Sequence, residues 1–235
     1  MWSGPRNIST AMMRAWENRG DCAVSDEPLY AHYLHHTGLV HPAREAIVAQ
    51  GEIHWPKVVD ALLGPTPGDA PIWYQKHMAH HLLPHIDRAW IRRLHNVLLI
   101  RDPREVVASY VRSRATVTAD DVGLRQQAAL YEELARTGMP PPIIDAHDFL
   151  AAPEAHLRAL CTGLGIEFTG RMLHWPAGSR DSDGLWAPHW YARVCESTGF
   201  EQPARCEIAL TGHAAEAAEE CLPHYERLHA ARLRL

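Results

Sequence analysis

The chain has 235 residues, 46% of them hydrophobic, enough to bury a sizeable core and to predict one large domain across residues 1–235. A formal net charge of −5 at pH 7 excludes a general nucleic-acid binder, which would spread a basic excess along one face. Any anion site therefore has to be local.

In chain order the periodicities alternate. Residues 11–19 are helical, 22–25 form a short strand, and 29–36, 43–50 and 55–63 are helical. The runs PIWYQ (71–75) and NVLLI (96–100) are short, bulky and apolar, as strands buried on both faces of a parallel sheet are. A helix starts at Pro103 and runs through 106–111, a longer amphipathic stretch covers 122–136, PPIIDAHDFL (141–150) supplies another strand, and 153–164 is helical. Residues 175–200 read as a long loop leading into a short helix, with the makings of a lid over cofactor and acceptor. The tail, 205–235, is helical and alanine-rich, with Pro223 interrupting it. This alternation predicts a three-layer α/β/α fold with a mostly parallel sheet, right-handed crossovers and sites at the carboxyl ends of the strands. Only Met1 and Trp2 precede the first turn, so the first strand is either vestigial or truncated.

The five cysteines, at 22, 161, 195, 206 and 221, make no CxxC pair and no even framework, and a reducing cytoplasm is expected. No apolar run approaches the roughly 18 residues of a membrane span. Met1 to Arg19 has no basic leader followed by an apolar stretch, so a soluble chain without targeting segment or membrane partner is expected.

The turn SGPRNISTAMM (3–13) is suited to an oxyanion. A helix N-terminus offers unpaired N–H groups and about half a positive charge. Gly4 permits close approach, Ser9 and Thr10 either cap the helix or donate to an anion, and Arg6 places a planar cation on the loop itself. The triphosphate pattern GxxxxGK[ST] fails, because Ser9 and Thr10 stand where its glycine and lysine belong. A second candidate is LLIRDPREVVASY (98–110): a strand ends in Arg101, Asp102 caps the following helix, and Ser109 lies roughly 10 Å along it. Between the two, Lys76 and His77 leave a strand. His77 is a candidate base near neutral pH and Lys76 a cation for a leaving group, while Asp26 and Glu27 either cap, pair with Arg6, or supply the base through Glu27. A zinc site on His77, His81 and His85 is not expected: HExxH is absent, no carboxylate or cysteine partners them nearby, and Pro84 breaks the helix.

Together these residues resemble the sulfotransferase family, which binds 3′-phosphoadenosine 5′-phosphosulfate. PRNISTAMM is similar to its PKSGTTW or PRSGST loop at Pro5, Arg6, Ser9 and Thr10, with Asn7 and Ile8 in place of Ser-Gly. RDPREVVAS fits its arginine-and-serine pair, which implies Arg101 and Ser109 on the 3′-phosphate. QKHMAHHLLP is similar to the cytosolic branch's KTHLP, which implies His77 as catalytic histidine, with Gln75 and Lys76 replacing the lysine and threonine. Residues 143–168 look like the family's strand, acidic turn, helix and leucine-glycine stop. The family's closing GDWKN segment is replaced by GSRDSDGLWAPHW, where Arg180 is the candidate 3′-phosphate contact and Trp186 the candidate aromatic wall.

The resemblance implies a P-loop-like fold and sulfuryl transfer from that co-substrate to a hydroxyl or amine of a small-molecule acceptor, by in-line displacement and without a metal. The cofactor site would comprise Gly4, Pro5, Arg6, Asn7, Ser9, Thr10, Arg101, Ser109, Arg180 and Trp186; catalysis would use Arg6, Lys76, and His77 or Glu27. The alternatives are a P-loop-type nucleotide kinase or hydrolase, or a non-catalytic adenosine-bisphosphate-binding module. Tyr30, Tyr33, Trp55 and Trp186 are either an apolar acceptor pocket or core.

Overall fold

The computed structural model describes residues 1–112, 114, 116–202 and 209–235. Five parallel strands form one sheet in the order β2-β3-β1-β4-β5: β1 (Trp2–Ser3), β2 (Cys22–Asp26), β3 (Ile72–Met78), β4 (Leu98–Ile100) and β5 (Ile143–Asp145). β1 has only two residues, yet it pairs on both sides: Trp2 sits opposite His77 and Leu98, and Ser3 opposite Met78 and Leu99.

Side chains alternate across each strand, so the sheet carries two cores. On one face Trp2, Leu98, Ile100 and Ile143 pack against α4 (Trp55–Leu62), α5 (Pro103–Tyr110), α7 (Leu124–Ala135) and α12 (Gly212–Ala230). On the other, Tyr74, Leu99 and Ile144 meet α1 (Ser9–Glu17) and α9 (Pro153–Gly163) through Met12, Met13, Trp16, Leu157 and Leu160. A third, smaller cluster joins α2 (Tyr30–Thr37) and α3 (Arg44–Gln50) to α10 (Ala187–Trp190) and the start of α11 (Ala192–Glu196).

Four expectations are corrected. β3 runs to Met78, three residues beyond the apolar run that announced it, because Lys76, His77 and Met78 keep pairing with β2 and β1. The stretch 122–136 is broken: α6 (Ala119–Val122) begins in a capping box between Thr118 and Asp121 and ends at Gly123, whose φ of 77° only glycine adopts readily. PPIIDAHDFL is strand only to Asp145, whose carboxylate accepts from the amides of His147 and Asp148 and so starts α8 (Ala146–Ala151). Pro223 does not interrupt α12, since buried Ala217, Ala218, Cys221 and Leu228 clamp the helix on both sides of it. That packing outweighs a penalty of about 3 kcal/mol. The start of the predicted helical tail, 205–208, and Cys206 lie outside the described residues; Cys22, Cys161, Cys195 and Cys221 are unpaired thiols. No helix among the described residues is long and apolar enough to cross a membrane.

Candidate active site

The loops at the carboxyl ends of β1, β2, β3 and β4 open onto one cleft, the position open α/β sheets reserve for ligands. The turn after β1 is held from below. Asn7 donates through Nδ2 to the Leu99 carbonyl at 3.0 Å, and its Oδ1 accepts from the Ile8 amide at 2.8 Å. Gln127, buried on α7, donates to the carbonyls of Trp2 and Leu99 at 3.1 and 3.0 Å, fixing the ends of β1 and β4 together. Gly4 has a different role from the one expected. A Cβ there would lie 2.2 Å from the Val122 carbonyl oxygen, so its close approach is to the α6–α7 junction, and it does not line the cleft.

Arg6 follows with a φ of 53°, a left-handed conformation that costs a non-glycine residue on the order of 1 kcal/mol. Its Nε donates to Ser109 Oγ at 3.0 Å, and its carbonyl accepts from Arg101 at 2.8 Å. The turn and the β4–α5 region, far apart in sequence, are thereby one continuous surface. Arg101 also pairs with Glu105 at 2.8 Å. Among the described residues no carboxylate pairs with Arg6. Burial, with repulsion from Arg101 and Arg112, pushes its pKa down. No side chain caps α1, so Ser9 and Thr10 do not play the capping role and both stand on the cleft wall.

Strand parity decides between Lys76 and His77. Successive strand residues face opposite sides, so only one of the pair can reach the cleft, and it is Lys76. Its side chain is 1% exposed, and Nζ donates to Asp26 at 2.7 Å, Glu27 at 2.6 Å and the Tyr191 hydroxyl at 2.6 Å. Burial opposes its charge, but Asp26 and Glu27 win and hold the ammonium well above its ordinary range. One cation faces two carboxylates, and burial pushes Glu27 up. Glu27, like Arg6, is left-handed, with φ 46°. Asp26 and Glu27 thus pair with Lys76 and Tyr191, not with Arg6.

The structure places His77, the expected catalytic histidine, away from the cleft. It stacks on Trp2 with ring centroids 4.3 Å apart, lies near Trp90, faces Gln75 Oε1 at 3.3 Å and does not line the cleft. Burial pushes its pKa well below the ordinary value. The histidines at the cleft are His80 and His81, which follow the strand. His81 stacks on Tyr30 at 4.7 Å and on Tyr33 at 4.5 Å, with its Nδ1 4.0 Å from Glu27.

Arg180 and Trp186 are not on the cleft wall either. Arg180 donates to the Pro176 carbonyl and faces Glu17, and Trp186 packs edge-on against Tyr30 while donating to the Tyr191 hydroxyl at 2.9 Å. Their segment is tied down by the buried Arg14–Asp183 pair at 2.7 Å and by Trp175. It delivers residues that sequence reasoning missed. Tyr191 completes the Lys76 network, and Trp190 and Arg193 join Arg114 on the cleft wall. The LWAPHWY run was the available signal for Tyr191; nothing local marked Arg114 or Arg193. Of the aromatic residues weighed for a pocket, Tyr30 reaches the cleft, whereas Tyr33 and Trp186 are core and Trp55 packs, partly buried, against it.

A parallel 2-3-1-4-5 sheet with an uncapped, arginine-bearing turn after its central strand defines a P-loop-like fold, with a cleft at the carboxyl ends of its strands lined by Arg6 and Arg101. The chain belongs to the sulfotransferase domain family, whose pattern it matches over residues 1–231. It is 36% identical over 228 residues to the Arabidopsis thaliana branched-chain-amino-acid aminotransferase-like protein 2, covering 97% of this chain and 40% of that protein. It is 35% identical over 230 residues to the corresponding protein 1, covering 97% and 41%. The chain therefore spans about two fifths of the length of these curated relatives. Among solved structures, the sulfotransferase domain from the Synechococcus PCC 7002 olefin synthase superposes with a TM-score of 0.50 at 16% identity, covering 93% of this chain and 92% of that one, a likeness of fold.

Proposed function

We propose that this chain, as a single sulfotransferase-like domain, transfers a sulfuryl group from 3′-phosphoadenosine 5′-phosphosulfate to a hydroxyl or amine of a small-molecule acceptor. The observation that carries the reading is the Arg6–Ser109 contact, which makes the cradle after β1 and the Arg101–Ser109 region one cationic surface. These residues fit such a donor: Arg6 has no carboxylate partner among the described residues, and the first turn of α1 is left without a side-chain cap. Pro5, Arg6, Asn7, Ser9 and Thr10 would hold the 5′ end, and Arg101 and Ser109 the 3′-phosphate.

The bound donor supplies an activated sulfuryl group, displaced in line at sulfur. Arg6 and the N–H groups of α1 stabilise charge developing on the departing phosphate, whereas Lys76 is engaged by Asp26 and Glu27 and holds them in place. The base is Glu27. Its carboxylate sits at the end of β2 on the cleft wall, held by Lys76, and burial raises its proton affinity toward the working range of a general base. Tyr30 and His81 form the adjoining wall against which an acceptor would pack. The transfer itself asks nothing of a metal, since Arg6 and the N–H groups of α1 would meet the charge on the leaving group.

The test is an assay with donor labelled in the sulfuryl group and a panel of hydroxyl and amine acceptors. Label transfer by the wild type, lost in Arg6→Ala and Glu27→Gln, supports the reading. Donor binding with no transfer to any acceptor would favour a binding module in its place.

A further inference from the structure

A second cluster lies outside the cleft. The fold takes the helically spaced His77, His81 and His85 apart, sending one to the core, one to the cleft wall and the third to α2. There His85 meets His32 and His36, which stand one turn apart on the same helix face. One ring nitrogen from each of the three lies within 4.8 Å of the other two.

His32 is buried, and its Nδ1 is 2.7 Å from the Ile53 carbonyl. A carbonyl can only accept, so Nδ1 carries a proton, and the nitrogen left to serve as a ligand is Nε2. That nitrogen faces His85 Nε2, 2.9 Å away. A backbone carbonyl fixing the tautomer and orientation of an imidazole is the outer-shell arrangement of metal-ligating histidines. No carboxylate competes for these three rings among the described ion pairs. The cluster Asp145, Asp148 and His229 differs in this respect: its carboxylates are already engaged by helix amides, Tyr225 and Arg232.

We propose that His32, His36 and His85 form a binding site for a divalent transition-metal ion of imidazole preference, with zinc as the reference ion. Metal–nitrogen bonds of about 2.0–2.1 Å in tetrahedral array place donor atoms roughly 3.3 Å apart, so small ring rotations convert the present cluster into three ligands. Binding requires both Nε2 atoms of that contact to be free of protons, as they are in neutral imidazoles protonated at Nδ1. His36 and His85 are exposed, which gives the ion a route in and leaves a fourth position for water. The bound ion would tie α2, which carries Tyr30, to the segment that follows His80 and His81. The site stands independently of the proposed donor site.

The test is titration of the whole chain with zinc chloride by calorimetry and with cobalt chloride by visible absorption. The wild type should bind one ion per chain, show the intense visible bands of tetrahedral cobalt, and rise in thermal midpoint. His36→Ala and His85→Ala, both of exposed side chains, should each weaken binding at least tenfold and lose the cobalt bands, while His35→Ala on the same helix should bind as wild type does. Absence of binding by the wild type, or binding unchanged in both His36→Ala and His85→Ala, would overturn the proposal.

Discussion

Replacing Lys76 by Met keeps the shape of the side chain and removes the one ammonium from between Asp26 and Glu27. The groups involved are 1%, 2% and 10% exposed, with contacts of 2.6–2.7 Å, so water does little to screen them. Breaking a buried ion pair by deleting one partner costs about 3–5 kcal/mol. In a chain of this length that lowers the thermal midpoint by roughly 6–20 °C. The loss depends on pH in a definite sense. In the wild type the folded-state pKa of Lys76 is raised, so its contribution is complete below the unfolded value of about 10.4 and is lost only as pH rises through the folded value. In Lys76→Met the two carboxylates face each other without a cation, and the folded pKa of Glu27, already raised by burial, rises further. The penalty therefore grows as pH climbs from about 4.3 toward that raised value, and it shrinks in acid, where Glu27 takes up a proton. Urea denaturation at pH 5 and pH 8 measures both, and Glu27→Gln/Lys76→Met should recover part of the loss at pH 8. A loss under about 1 kcal/mol that is equal at the two pH values would refute this reasoning.

Arg6→Ala should lower turnover by about 10²–10³-fold, the usual effect of removing one fixed donor from a developing oxyanion, and steady-state transfer rates check it. Glu27→Gln should lower turnover by about 10²–10⁴-fold and abolish the acid limb of the kcat/KM profile. In the wild type that limb should lie above the ordinary glutamate range, because burial outweighs the attraction of Lys76 while Asp26 adds repulsion; Tyr191 and His81 are the other titratable groups facing Glu27. His77→Ala should cost about 2–5 kcal/mol by opening a cavity against Trp2, yet leave turnover per folded molecule within a few-fold of wild type. Denaturant melts paired with active-site-normalised rates separate the two effects.

The α/β alternation was legible because it rests on local signals, apolar runs, turns, a cap and a proline in fixed order; the same signals singled out the turn after β1, Arg101 and Ser109, which the fold brings together through Arg6. Lys76 and His77 were both read as site residues because periodicity was followed only to Gln75. Three more paired residues in β3 set the parity, and parity sends one of the two into the core. Gly4 was legible as a place of close approach, but the partner, Val122, comes from more than a hundred residues away. Arg193 and Arg114 reach the cleft only through tertiary packing of segments whose own sequences carry no chemistry-bearing pattern, whereas Tyr191 closes an aromatic run that was visible in the sequence. Within 175–200, Trp175 and Trp186 are buried and anchor the segment.

Calorimetric titration with adenosine 3′,5′-bisphosphate, beside adenosine 5′-monophosphate and magnesium-ATP, tests the proposed donor site most directly. One bisphosphate should bind per chain without magnesium, at least about tenfold or ~1.4 kcal/mol more tightly than the monophosphate, with that margin erased in Arg101→Ala/Ser109→Ala. Equal affinity for the two adenosine nucleotides, or tight binding reserved for magnesium-ATP, would contradict the account.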